Sequence, residues 1–191
     1  MTFLLSEYIT AGLIFFGAIL YSSVGHGGAS SYIAIMAIMG APIASIKPVG
    51  LVLNIIVSSI ASYRFIKNKF FNLKIFIPVA LGSIPAAYLG GFLQLPPEIY
   101  RISVGIILLF AGFQFLFDIF KYFKQKTNQP VNFLLGLFAG VMIGFLSGLT
   151  GTGGGIFLSP LIVFLGWTSI KGASGTAAAF ILFNSISGLL G

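Results

Sequence analysis

Two glycine-rich stretches place the strongest constraint on this chain: Val24-Gly25-His26-Gly27-Gly28-Ala29-Ser30 and Thr150-Gly151-Thr152-Gly153-Gly154-Gly155-Ile156. Each ends one apolar run and precedes a second, short one, so each reads as a break in membrane helices. A single offset of 126 residues carries Gly25 onto Gly151, Gly27 onto Gly153 and Gly28 onto Gly154. The same offset carries Gly40 onto Gly166 and Ser59 onto Ser185. An offset that holds outside the motif as well as inside it points to an internal duplication.

Composition sets the solvent in which those breaks must work. With 58% hydrophobic and 7% charged residues, 191 residues cannot hide their apolar surface inside a soluble globule. The expected fold is an all-α polytopic membrane protein. A membrane barrel would need alternating polar and apolar residues, and the run from Ile102 to Phe117 does not alternate. Zero cysteines exclude disulfides and thiolate metal sites, and one histidine with three carboxylates leaves too few ligands for a typical transition-metal centre. No metal and no other cofactor is expected. A net charge of +7 would suit nucleic acid, but the basic residues fall in short loops between apolar runs. The expected partner is the lipid bilayer, not nucleic acid.

Met1 to Glu7 has no basic segment, so the first apolar run, Tyr8 to Val24, is expected to stay in the mature protein. At 17 residues it is short for a span. Ser30 to Gly40 is shorter, and Ala41-Pro42 interrupts it, because proline lacks a backbone donor and disfavours helix in the residue before it. Pro48 to Ile66 reads as a span with proline in its first turn and a polar stripe, Asn54, Ser58, Ser59 and Ser62, facing protein. Ile75 to Leu93 follows, bent by Pro78 and Pro85, with Gly82, Ala86, Ala87, Gly90 and Gly91 for close contact. Arg101 to Phe120, poor in polar groups, is expected to face lipid over much of its circumference. Phe133 to Leu149, Ile156 to Gly166 and Ala173 to Leu190 repeat the first three runs. The chain thus divides into a first membrane repeat, 1–120, a basic loop, 121–132, and a partial second repeat, 133–191.

Charge sets the expected orientation. With both basic loops in the cytoplasm, Arg64, Lys67, Lys69, Lys74, Lys121, Lys124, Lys126 and Lys171 are inside and only Lys47 and Arg101 outside. Three spans between the breaks, an odd number, invert the second repeat relative to the first. The short helices after the two breaks then start near one point from opposite leaflets. Their first N–H groups are unpaired, and each N-terminus carries roughly half an elementary charge. Glycine leaves nothing to hold an ion off the backbone. A small anion fits this arrangement, with Ser30, Ser31, Thr150, Thr152 and Thr176 as neutral donors and no buried cation to trap it. Glycine in membrane helices also serves close packing, the simpler explanation of a single such motif. Asn54 and Asn184 either line the path or tie helices together; they are not strict equivalents, since the offset takes Asn54 to Phe180. His26 titrates near neutral pH and either couples a proton to the anion or satisfies turn carbonyls.

The two breaks with their short following helices, Ala173-Ser174-Gly175-Thr176 at the head of a span, and Leu51-Val52-Leu53-Asn54 together resemble the sulfite exporter TauE/SafE family over nearly the whole chain. The resemblance implies a multi-pass transporter of the bacterial inner membrane that carries a small inorganic or organosulfur anion such as sulfite. It also implies that Gly25, Gly27, Gly28, Gly151, Gly153, Gly154 and Thr176 line the pathway. His26 and Ala29 depart from the pattern of the first motif. The second repeat is about 55 residues short of the first by the offset, so a longer parent chain or a homo-oligomer is expected to complete it.

Two other classes compete with a transporter. An intramembrane hydrolase would use Ser147 and His26 as nucleophile and base, but Gly144-Phe145-Leu146-Ser147-Gly148 is one residue too long for the Gly-x-Ser-Gly of rhomboid proteases, and no third orienting group is evident. A purely structural subunit would not need a duplication. No Gly-x-x-x-x-Gly-Lys-Ser/Thr motif is present, which favours secondary transport over an ATP-driven step within this chain.

Overall fold

The computed structural model describes residues 2–23, 28–117 and 129–191, and all regular structure among them is helical. The elements are α1 (Thr2–Ser23), α2 (Ala29–Ile38), α3 (Ile43–Lys67), α4 (Leu73–Phe92), α5 (Pro97–Phe117), α6 (Phe133–Thr150), α7 (Gly155–Phe164) and α8 (Ile170–Leu190). Ala44–Lys67, Leu73–Phe92, Phe133–Thr150 and Ile170–Leu190 are long and apolar enough to cross a membrane. The chain is a multi-pass helical membrane protein. In contrast, α2 and α7 have 10 residues each. At 1.5 Å per residue each reaches about 15 Å, half of a hydrocarbon core of about 30 Å.

Local chemistry explains the starts. Asn72 caps α4 by accepting from the Lys74 N–H at 3.0 Å, Asn132 caps α6 through the Leu135 N–H at 3.1 Å, and Ser169 caps α8 through the Gly172 N–H at 3.3 Å. Pro97 opens α5, where its missing N–H costs nothing. The third helix begins earlier than proline alone suggests: Pro42 is its cap and Pro48 lies inside it. The eighth likewise starts at Ile170 rather than Ala173, because Ser169 supplies the cap.

The ends of the two short helices repeat in their backbone bonds, not only in sequence. After α2, the N–H groups of Gly40 and Ala41 donate to the carbonyls of Ala37 and Met36. After α7, those of Gly166 and Trp167 donate to Val163 and Ile162, the same bonds 126 residues later. Both are Schellman closures with a glycine in the left-handed region, φ 75° at Gly40 and 68° at Gly166. A third closure ends α3, where Lys69 and Phe70 donate to Ile66 and Phe65. Its left-handed residue is Lys69, φ 62°, the one non-glycine with positive φ among the described residues. A Cβ there costs roughly 1–2 kcal/mol relative to glycine.

Packing follows two seams. Along the first, Gly136, Gly140, Gly144 and Gly148 of α6 recur every fourth residue and lie against Pro78, Val79, Ser83 and Ala87 of α4. The paired numbers rise together, so α4 and α6 run parallel, backbone on backbone. The second seam joins α3 and α8, with Leu51 near Gly188 and Phe65 and Phe70 near Gly175. Here the numbers run in opposite senses, so these helices are antiparallel. Each short helix has its own apolar surround: Leu158 and Ile162 of α7 pack with Ile75, Val79, Ile143 and Phe180, and Tyr32, Ile33 and Met36 of α2 pack with Ile46, Tyr100 and Val104. The expected polar stripe on α3 is buried at Asn54, Ser58 and Ser62. Ser59 is the exception: it is exposed and donates back to the Ile55 carbonyl at 2.6 Å. On α5, Ile102, Ile106 and Leu109 are exposed at helical spacing, as a lipid-facing surface requires.

Candidate functional site: the buried break before α7

Every residue from Thr150 to Gly154 is buried. The backbone turns through three left-handed glycines, Gly151 (φ 81°), Gly153 (φ 74°) and Gly154 (φ 75°), and α7 begins directly after them. A side chain at Gly153 would lie 2.8 Å from both Asn54 Nδ2 and Ile181 and 3.3 Å from Ser185 Oγ. At Gly154 it would meet Ile143 and Phe180 at 2.9 Å and the Ser147 Cβ at 3.2 Å. The break is therefore held by α3, α6 and α8 together. Tyr100 of α5 adds a bond from its hydroxyl to the Thr150 carbonyl at 3.1 Å.

The polar groups around it divide into occupied and open donors. Thr150 Oγ1 donates to the Leu146 carbonyl at 2.7 Å and lies 3.1 Å from Thr152 Oγ1, so Thr152 donates to Thr150 and both hydroxyl protons are used. Asn54 Nδ2 makes one long contact, 3.5 Å, to the Gly151 carbonyl, and Asn54 Oδ1 has no protein partner. Ser147 Oγ and Ser185 Oγ are buried and also unpartnered. Such groups are costly in an apolar interior unless something occupies them during function. The open donors are thus Ser147, Ser185 and one amide proton of Asn54, not the threonines that the motif suggests. Ser185 was visible in the sequence only as the repeat partner of Ser59.

The cation whose backbone touches the break turns its charge away. Lys47 lies with its backbone against Gly151, but its Nζ donates to the Gly91 carbonyl at 2.6 Å and lies 3.4 and 3.5 Å from those of Leu93 and Gly90. It caps the C-terminal end of α4, where the helix dipole favours a positive charge. The break keeps a neutral wall of amide, hydroxyl and main-chain groups.

The other expected site residues sit as follows. Gly25, His26 and Gly27 lie outside the described residues, and with them the base of the expected hydrolase pair. Gly28 is left-handed at φ 89°, with the Tyr32 phenol where its side chain would be, and Ser31 Oγ donates to its carbonyl at 2.7 Å. Ser30 is buried at the start of α2. Gly50 of α3 lies between the halves, within 3.6 Å of both Ile33 and the Gly151 carbonyl for an added Cβ. Thr176 is buried, donates to the Gly172 carbonyl at 2.9 Å and accepts from the Asn72 N–H at 3.4 Å, so it faces the α3–α4 loop. Asn184 Nδ2 donates to its own helix at the Phe180 carbonyl, 3.0 Å away.

Among the described residues, four helices long and apolar enough to cross a membrane, a parallel glycine seam and two short helices define a multi-pass helical membrane protein. The chain belongs to the sulfite exporter TauE/SafE family, whose model matches residues 10–191. It is 36% identical over 189 residues to the "Probable membrane transporter protein y4hK" of Sinorhizobium fredii, covering 97% of this chain and 76% of that protein. It is 28% identical over 185 residues to the "Probable membrane transporter protein YjnA" of Bacillus subtilis, covering 88% and 72%. A probable membrane transporter protein of Methanocaldococcus jannaschii is 30% identical over 137 residues, 70% of this chain and 50% of its own. No solved structure matches the chain.

Proposed function

We propose that the protein is a secondary transporter that moves a small anion, a sulfur oxyanion or organosulfonate such as sulfite, across the bacterial inner membrane, with the break before α7 as its binding point. The observation that carries this reading is the start of α7: a helix N-terminus with open main-chain donors, faced by the unpartnered Ser185 and Ser147 hydroxyls and the Asn54 amide. Together they offer donors to an oxyanion with no fixed countercharge, which permits binding and release. The antiparallel seam between α3 and α8, equivalent helices of the two repeats, supports an inverted repeat. The breaks then approach one region from opposite leaflets, with the basic loops in the cytoplasm.

Counterflow in proteoliposomes tests this. Vesicles loaded with unlabelled sulfite or sulfoacetate should accumulate the matching labelled anion transiently above equilibrium. A structural subunit or a hydrolase would produce no overshoot with any of them, and that result would overturn the reading.

A further inference from the structure

Apart from the break, the described residues contain an open cavity of about 560 Å³, half polar and half apolar, lined by Lys69, Phe70, Phe71, Asn72, Leu73, Lys74, Thr168, Ser169 and Gly172. It lies where the α3–α4 loop meets the α7–α8 loop. None of its lining residues is acidic, so Lys69 and Lys74 face no carboxylate within it. The capped starts of α4, at Asn72, and α8, at Ser169, both open there, and their positive ends add to the lysine charge. A third basic residue, Lys171, stands 5.5 Å over the Phe70 ring.

Lys69 makes the arrangement more than a solvated loop. Two of the three Schellman closures place glycine at the left-handed position, and the third places Lys69 there at φ 62°. A strained backbone retained where glycine would relax it points to a use for the side chain. The floor of the cavity also lies close to the start of α7. The N–H of its lining residue Asn72 contacts Thr176, and the next carbonyl along, that of Ala177, is 3.8 Å from where a Gly155 side chain would begin. Along α8, Gly172 and Ala177 are about 8 Å apart.

Resting on the transporter reading, we propose that this cavity is a cytoplasmic vestibule that binds the oxyanion before it reaches, or after it leaves, the break at Gly153. The charge is collected where water screens it and release is fast, and the deeper site stays neutral.

The test pairs binding with stability on the full chain in detergent. Sulfite binding would be titrated by an equilibrium method against the parent, Gly153→Val, Lys74→Gln and Lys69→Gly. Gly153→Val should keep cavity binding while transport stops, which separates failure of the vestibule from failure of the deeper site. Lys74→Gln should weaken binding about threefold to tenfold, and Lys69→Gly similarly while its unfolding midpoint rises, because glycine relieves the left-handed turn. The differences should shrink at about 0.5 M salt. Unchanged sulfite affinity in both lysine variants would overturn the proposal. So would tight, lysine-dependent binding of dioctanoyl phosphatidylglycerol by a protein that ignores sulfite, since the cavity would then hold a lipid headgroup.

Discussion

The seam between α4 and α6 and the break before α7 are both built from glycine, yet they use it for opposite ends. Along the seam, a side chain at Gly140 or Gly148 would fall onto the carbonyl of Val79 or Ala87, and the glycines themselves are helical. Their function is to let two backbones touch. At the break, Gly153 and Gly154 are left-handed, and their neighbours are mostly side chains, several of them polar and unpaired. A packing glycine needs an absent Cβ. A pathway glycine needs that and an unusual backbone, with donors left free around it. The packing explanation of membrane glycines suits the first set; for the second, the proposed binding role adds a reason for the left-handed turn and the open donors.

Breaking the seam should have the largest effect. Gly140→Leu must separate two backbones along a parallel contact, at a cost of about 3 kcal/mol or more, at or beyond the upper end of overpacking. Little monodisperse protein should be recovered by size-exclusion chromatography in mild detergent. A monodisperse variant with the parent's thermal stability would mean that α4 and α6 do not touch at Gly140.

Gly153→Val should stop transport by a factor of 100 or more in the molecules that fold, at some cost in stability. Valine at φ 74° is strained, and its Cβ alone would press on Asn54 and Ile181 at 2.8 Å, with Ser185 at 3.3 Å. Measured uptake is to be normalised to the folded fraction. A variant that loses folded protein and transport in the same proportion would move Gly153 into the packing class.

Ser185→Ala sharpens the contrast from the polar side. If the unpartnered hydroxyl donates to the anion, removing it costs about 1.4–3 kcal/mol, tenfold or more in apparent affinity, while relieving a buried orphan group should leave stability unchanged or raise it. A structural hydroxyl would show the reverse pattern, lower stability with unchanged affinity.

Much of this architecture was readable from one-dimensional pattern. The spans and the half-length helices follow from apolar runs, proline and a constant offset, which are local signals. The ladder Gly136, Gly140, Gly144, Gly148 is a four-residue period that a reading of apolar runs passes over. What could not be read is which groups meet across helices. The offset pairs Asn54 with Phe180, whereas the antiparallel seam brings both Asn54 and Ser185 to Gly153. Nor does a motif reveal that the Thr150 and Thr152 protons are already committed, or that Lys47 reaches over to cap α4. Those facts depend on tertiary register, which sequence period does not encode.

Thr176 gives the smallest expected effect and the finest division between the two kinds of residue. Family resemblance places it on the pathway, and its neighbour Ala177 does present a carbonyl toward Gly155. A hydroxyl has one proton, however, and that of Thr176 is donated to the Gly172 carbonyl. Its lone pair receives the Asn72 N–H, so its bonds tie α8 to the α3–α4 loop. Thr176→Val keeps the shape and removes both bonds, which should lower stability by about 1 kcal/mol and transport less than threefold once normalised to folded protein. Thr176→Ser should restore both. A loss of transport greater than tenfold in the valine variant, at parental stability, would show instead that the hydroxyl leaves Gly172 to serve the anion, and would extend the proposed pathway from the break to the N-terminal end of α8.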